Sequence, residues 1–132
     1  MYDWGNKKIL IAEDEEINYI FLEEALFRTN AKITWAKNGE AALNHFKAEE
    51  FDLVLLDIKM PKMNGIEVAE AMKALRFDIP IIAQTAYAMA GEKEKIMAAG
   101  FDAYISKPIR PRKLLSLIGK FLNDGAEVEE NG

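Results

Sequence analysis

Five short apolar segments, each followed by a segment in which apolar residues recur at helical spacing, run through the 132-residue sequence. The apolar segments are almost continuously hydrophobic, which is typical of strands that are buried on both faces. Strands that alternate with helices in this way form parallel sheets with helices packed on both faces. The sequence therefore predicts a doubly wound α/β fold around a five-stranded parallel sheet. The predicted strands are 7–12, 32–36, 51–57, 79–85 and 102–106.

The alternating pattern occupies residues 7–123, and a chain of this length fits one domain. Residues 1–6 precede the first strand and are predicted to form an N-terminal linker. Residues 124–132 are mostly polar and acidic, so we expect a disordered tail or a linker stub there.

The composition excludes several kinds of protein. The chain has no cysteine, which rules out disulfides and thiolate metal sites. Its net charge of −5 argues against a nucleic-acid partner. No apolar run approaches the roughly 20 residues of a membrane span, and the first residues lack the apolar core of a signal peptide. We therefore expect a cytoplasmic protein.

Polar residues stand at the predicted ends of four strands. Glu13 and Asp14 follow the first strand, Asp57 ends the third, Thr85 ends the fourth, and Lys107 follows the fifth. Ligands of open α/β sheets bind beyond the carboxyl ends of the strands. Three acids, one hydroxyl and one amine are therefore predicted to meet at one edge of the sheet.

Three carboxylates at this edge need a cation or a bound proton, because two charges about 4 Å apart repel by roughly 4 kcal/mol near a protein surface. A site made only of oxygen ligands, with no histidine or cysteine, favours Mg²⁺ or Mn²⁺ over Zn²⁺. The Lys107 amine and the Thr85 hydroxyl suit the oxygens of a phosphoryl group. These residue types together indicate phosphoryl transfer.

The segments "AEDEEIN", "LVLLDIKMPKMNG", "AQTAYAM" and "FDAYISKPI" resemble the receiver domain of two-component response regulators. They are most similar to the receiver module of hybrid sensor histidine kinases. The resemblance implies a flavodoxin-like (βα)5 fold with strand order 2-1-3-4-5. It also implies a phosphorelay function, in which Asp57 takes a phosphoryl group from a phosphohistidine donor and the domain switches conformation. Such a domain is a signalling module, not an enzyme, although it promotes its own phosphorylation and slow dephosphorylation.

The resemblance also implies how the cation and the phosphoryl group are held. Asp14 and Asp57 would bind Mg²⁺ or Mn²⁺ directly, with the backbone carbonyl of Lys59 as a third ligand. Glu13 would act directly or through a water molecule. Lys107 would pair with the phosphoryl oxygens.

Further residues are expected to support the switch. Thr85 would hydrogen-bond the attached phosphoryl group, and Tyr104 would rotate inward behind it. The peptide bond before Pro108 would be cis, and Gly65 would serve the turn before the third helix. The residues expected to tune the lifetime of the phosphoryl group are Lys59, Ala86 and Tyr87.

The expected partner is a histidine kinase or a histidine phosphotransfer protein that docks near helix one and the loops around Asp57. Helix four, strand five and helix five form the expected switch surface. The chain is therefore expected to be a monomer or a weak dimer that associates through this surface.

Three other functions remain as alternatives. A haloacid-dehalogenase phosphatase would need a second acid two residues after Asp57, where Lys59 stands. A flavodoxin-like cofactor binder would need Ser, Thr and Gly in its first loop, which instead reads "AEDEE". A pseudo-receiver that only binds partners would not need the complete set of site residues.

Overall fold

The computed structural model describes residues 2–86 and 90–122, so Tyr87 and the predicted tail 124–132 lie outside the described residues. The strands are β1 (Lys8–Ala12), β2 (Lys32–Ala36), β3 (Leu53–Asp57), β4 (Ile81–Thr85) and β5 (Ala103–Ser106). The helices are α1 (Glu16–Leu26), α2 (Gly39–Ala48), α3 (Gly65–Leu75), α4 (Ala90–Ala98) and α5 (Pro111–Phe121), with a 3-10 turn at Phe27–Thr29. Within these residues, no helix has the length and apolar character needed to cross a bilayer.

The five strands form one parallel sheet in the order β2-β1-β3-β4-β5, which confirms the predicted fold. Every residue of the two neighbouring strands β3 and β4 is buried. Because β1 and β4 flank β3, the ends of these three strands meet at one edge of the sheet. This edge holds the acids that follow β1 and end β3.

Side chains of the strands alternate between two hydrophobic layers, as the two-residue period of a strand requires. Leu56 packs with α2, α3 and α4 on one face, and Leu55 packs with α1 and α5 on the other. In α5, Leu114 and Ile118 are buried, as is Leu122 directly after the helix, and Leu115 and Phe121 pack beside them. Both faces of the sheet are therefore covered by helices.

Helix ends follow the signals in the sequence. The Asn38 side chain accepts a hydrogen bond from the Ala41 amide at 2.8 Å and so caps the start of α2, a role that asparagine commonly fills. Asn64 and Glu67 form a reciprocal capping box at the start of α3. Gly100 follows α4 with φ +102°, a conformation that favours glycine and ends the helix.

Helix α1 matches its predicted apolar stripe only in part. The helical spacing of apolar residues predicts a stripe of Ile17, Phe21, Leu22, Ala25 and Leu26, of which Leu22 and Leu26 are buried. Tyr19, Leu22 and Leu26 are buried, whereas the expected core residues Ile17 and Phe21 are 82% and 44% exposed. The burial of Tyr19 in place of Ile17 has a visible cause, because the Tyr19 ring stacks on Trp35 of β2 with ring centroids 4.2 Å apart. This stacking turns the side of α1 that carries Ile17 toward solvent.

Residues 2–6, which the sequence analysis assigns to a linker, pack against the domain. The Trp4 side chain is fully buried between the sheet and helices α1 and α5. Its backbone amide donates a hydrogen bond to the Thr29 carbonyl at 2.6 Å. The Tyr2 ring lies against Trp4 and over Gly119 of α5. The domain limits remain a prediction, but this segment is held in place by aromatic packing.

Candidate functional site

Three carboxylates meet at the carboxyl edge of the sheet. One carboxylate oxygen from each of Glu13, Asp14 and Asp57 lies within 4.8 Å of the others. Strand β1 pairs directly with β3, so the residues that follow β1 reach the end of β3. An all-oxygen cluster of this size fits a hard divalent cation such as Mg²⁺.

Asp57 is 4% exposed and is held from two sides. The Lys59 backbone amide donates to its Oδ1 at 3.1 Å, and the Lys107 ammonium donates to its Oδ2 at 2.9 Å. The start of α3 packs directly behind it, because a Cβ atom on Gly65 would overlap the Asp57 carbonyl oxygen. The carboxylate is therefore fixed in position at the end of a rigid strand.

Lys107 reaches Asp57 from the loop after β5. Its backbone amide donates to the Thr85 carbonyl at 2.8 Å, and its peptide bond to Pro108 is cis. Partial burial alone would lower the pKa of the Lys107 ammonium, but the hydrogen bond and charge of Asp57 raise it above its ordinary value. Lys107 is therefore a cation at neutral pH, and it partly neutralises the cluster.

Glu13 is fully buried, and this burial, followed by the negative charge of Asp57, raises its pKa to about 7. Its Oε2 accepts from the Glu15 amide at 3.2 Å. Its Oε1 is buried without a hydrogen-bond partner among the described residues and lies 4.0 Å from Lys107 Nζ. A buried oxygen with unused lone pairs, next to two other carboxylates, is a further feature that suits a metal ion or a water bound to one.

Thr85 and Tyr104, the residues predicted to respond to phosphorylation, lie on the face of the sheet that packs against α2, α3 and α4. Thr85 is buried, and its hydroxyl donates a hydrogen bond to Glu92 in the first turn of α4. Tyr104 shares this face with Thr85, because Ala83 pairs with Tyr104 and Thr85 lies two residues further along β4. Lys93 lies above the Tyr104 ring, with Nζ 5.4 Å from the ring centroid.

One cleft of about 240 Å³ brings most of the predicted residues together. We call it the acidic cleft. Tyr104 is not among the residues that line it, and Glu13 lies buried beneath it. The predicted residues that line the acidic cleft are Asp14, Asp57, Lys59, Thr85, Ala86 and Lys107.

Three residues near the site were missed by the sequence analysis. Glu92 lines the acidic cleft, but it lies seven positions after Thr85 and no local pattern links the two residues. The Trp35 indole donates to the Glu13 carbonyl at 2.8 Å, a contact between separate strands that the sequence does not indicate. Gln84 did carry a signal, because it is a polar residue inside an apolar strand. Its amide is buried with no hydrogen-bond partner among the described residues.

A second cleft, of about 260 Å³, lies between α1 and the loop after β5. The exposed side chains of Ile17 and Phe21 line one side of it, and Pro108 lines the other. Gln84 lies at its base, and Lys107 separates it from the acidic cleft. The exposed apolar side of α1 is therefore adjacent to the acidic cluster.

Comparison with known proteins finds matches to one family and to proteins of two-component signalling. The family model of the response regulator receiver domain matches residues 9–119. The sensor histidine kinase GacS of Pseudomonas protegens is 36% identical over 119 residues, which cover 86% of this chain and 13% of GacS. The polar-differentiation response regulator DivK of Brucella anthropi is 36% identical over 121 residues, which cover 89% of this chain and 98% of DivK.

A solved structure shares the fold at a TM-score of 0.83 and 26% identity, covering 89% of this chain and 98% of that one. It is the receiver domain of sensor histidine kinase PA1611 from Pseudomonas aeruginosa, described with a magnesium ion coordinated in its active site cleft. This chain spans only 7% to 13% of the length of the sensor kinases that it matches.

Proposed function

The chain belongs to the response regulator receiver domain family, and we propose that Asp57 is its phosphoacceptor, which takes a phosphoryl group from a phosphohistidine donor. The observation that carries this assignment is the position of Asp57. It ends a fully buried strand, it lies within a cluster of three carboxylates, and the Lys107 ammonium contacts it at 2.9 Å.

The reaction needs an oxygen that can attack phosphorus in line. As the new bond forms between an Asp57 carboxylate oxygen and phosphorus, the bond from phosphorus to the donor's imidazole nitrogen breaks, and its electron pair stays on that nitrogen. The Lys59 amide, the Lys107 ammonium and the start of α3 hold Asp57 in one position. A fixed carboxylate supports in-line attack, because positioning supplies much of the rate in phosphoryl transfer.

Asp14, Asp57 and the Lys59 backbone carbonyl are the proposed ligands of Mg²⁺ or Mn²⁺, with Glu13 acting directly or through water. When bound, the divalent cation offsets the charge of the carboxylates and of the phosphoryl oxygens. The magnesium ion described for the similar PA1611 receiver domain supports this choice of metal. Lys107 would neutralise a phosphoryl oxygen on the side away from the cation, since its ammonium already lies beside Asp57.

Phosphorylation would then change the structure through Thr85 and Tyr104. A phosphoryl group adds about two negative charges and strong acceptor oxygens. Thr85 lines the acidic cleft and can donate its hydroxyl to one of these oxygens, with Tyr104 moving behind it on the same face of the sheet. Lys59, Ala86 and Tyr87 are proposed to tune the lifetime of the phosphoryl group.

The exposed apolar side of α1, formed by Ile17, Ile20 and Phe21, is the proposed docking surface for the phosphodonor. These side chains are 82%, 47% and 44% exposed, and two of them line the cleft beside Lys107. The donor would be a histidine kinase or a histidine phosphotransfer protein, and the exchange would take place in the cytoplasm. Any dimer would be weak and would form through α4, β5 and α5.

Intact-mass spectrometry tests the assignment. Incubation with acetyl phosphate and Mg²⁺ should add a single phosphoryl group to the chain, and EDTA should prevent the addition. Asp57→Asn should abolish it, whereas Asp52→Asn, at an acid on the opposite edge of the sheet, should leave it unchanged. Addition of equal extent to the Asp57→Asn variant would overturn the proposal.

A further inference from the structure

Helix α4 contacts both proposed switch residues through neighbouring side chains of its first turn. Glu92 accepts the hydrogen bond donated by the Thr85 hydroxyl. Lys93, the next residue, lies above the ring of Tyr104 at 5.4 Å. The start of α4 therefore contacts β4 and β5 at the two residues expected to respond to phosphorylation.

The Thr85 hydroxyl has one proton, so it can make one full-strength donation at a time. In the structure this proton is directed to the Glu92 carboxylate. A phosphoryl group on Asp57 would need the same proton for its own hydrogen bond. Glu92 and the phosphoryl group therefore compete for Thr85.

Charge adds to this competition. Glu92 lines the acidic cleft together with Asp57 and Lys107. A phosphoryl group on Asp57 would carry about two negative charges, and the Glu92 carboxylate would repel it across the cleft. Donation of the Thr85 proton to the phosphoryl group thus requires the Glu92 carboxylate to withdraw from Thr85.

We propose that Glu92 is a positioning residue that holds the Thr85 hydroxyl in the unphosphorylated arrangement and so sets how readily the domain adopts its phosphorylated conformation. The inference rests on the proposed function, because it takes Asp57 as the phosphoacceptor. It adds a regulatory contact to that site, and it names the hydrogen bond that must break when Thr85 donates to the phosphoryl group.

The test is a calorimetric titration with beryllofluoride, a mimic of the phosphoryl group, at saturating Mg²⁺. Glu92→Ala removes the competing acceptor and should tighten beryllofluoride binding by about three- to tenfold. Glu92→Gln keeps an acceptor oxygen without the charge and should give a smaller gain. Glu94→Ala, an equal change of charge at an exposed site on the same helix, should leave the affinity within about twofold.

A double-mutant cycle separates the hydrogen bond from simple charge repulsion. In a Thr85→Ala background, Glu92→Ala should tighten binding much less than in the unsubstituted chain, because only the charge repulsion is then relieved and no hydrogen bond is released. Equal tightening in both backgrounds would overturn the inference, as would unchanged or weaker binding by Glu92→Ala alone. Failure of the unsubstituted chain to bind beryllofluoride would overturn the proposed function as well, so the two failures are distinguishable.

Discussion

Glu13 is a fully buried acid, and its burial disfavours the charged form of its carboxyl group. Its pKa is raised to about 7 by burial and by Asp57, so the folded state favours its protonated form. Its contribution to stability is fully present below the unfolded value near 4.5 and is lost as the pH rises to about 7. At pH 8 without metal, the native state carries a buried charge that the unfolded chain would solvate.

Glu13→Gln should therefore stabilise the metal-free protein at pH 8 by about 1–3 kcal/mol relative to the unsubstituted chain. At pH 4.5 the two proteins should differ much less, because Glu13 is then protonated in the folded state. Urea unfolding in EDTA at the two pH values measures the difference. An equal effect of the substitution at both would show that Glu13 does not titrate in this range.

The contact between Lys107 and Asp57 gives a second prediction at the scale of single residues. Lys107→Met leaves a buried carboxylate without its cation and should destabilise the metal-free protein by about 1–3 kcal/mol at pH 7. Asp57→Asn in the same chain should recover most of this loss, because the buried charge that Lys107 pairs with is then gone. Urea unfolding of the two single variants and the double variant measures the coupling, and strictly additive effects would contradict the prediction.

At the scale of elements, α1 is the helix for which the sequence analysis was least accurate. Its apolar residues are spread around most of the helix, so periodicity alone could not choose between the stripe with Ile17 and the stripe with Tyr19. Stacking of Tyr19 on Trp35, a contact across separate elements, decided the outcome. Residues that should have been core instead form the proposed docking surface.

Ile17→Ser tests that surface. It should slow phosphoryl transfer from a phosphorylated histidine phosphotransfer protein by about fivefold to tenfold, since an apolar anchor near the centre of an interface is lost. The rate with acetyl phosphate should stay the same, because this small donor needs no docking. Rapid-quench kinetics with both donors measures the two rates.

Phe77→Ser is the matched control, since Phe77 is 84% exposed and follows α3. It should change neither rate. If Ile17→Ser slows transfer equally from both donors, its effect lies in the acidic cleft and not in docking. If it slows transfer from neither donor, Ile17 is not part of the interface.

At the scale of the whole molecule, the alternation of apolar strands and amphipathic helices was sufficient to predict a doubly wound parallel sheet and to place polar residues at one of its edges, whereas the strand order came from the resemblance to receiver domains. The convergence of Glu13, Asp14, Asp57 and Lys107 follows from strand ends alone, so it could be predicted. The Glu92 contact could not, because it depends on how the loop between β4 and α4 returns to the sheet. The packing of Trp4 was missed since it lies before the first strand pattern.

Trp4→Ala should lower the free energy of unfolding by about 3–5 kcal/mol, because it removes a fully buried indole from the layer shared with α1 and α5. Phosphorylation by acetyl phosphate should persist under conditions in which the variant is folded. Urea unfolding measures the loss. A change below about 0.5 kcal/mol would mean that residues 1–6 behave as the linker expected from sequence.

The most direct test of the account is to locate the phosphoryl group on the chain. Borohydride reduces an aspartyl phosphate to homoserine, so peptide mapping after treatment with acetyl phosphate, Mg²⁺ and borohydride identifies the modified residue. Homoserine should form at position 57 and at no other aspartate. Homoserine at position 14, or none anywhere in the mapped chain, would contradict it.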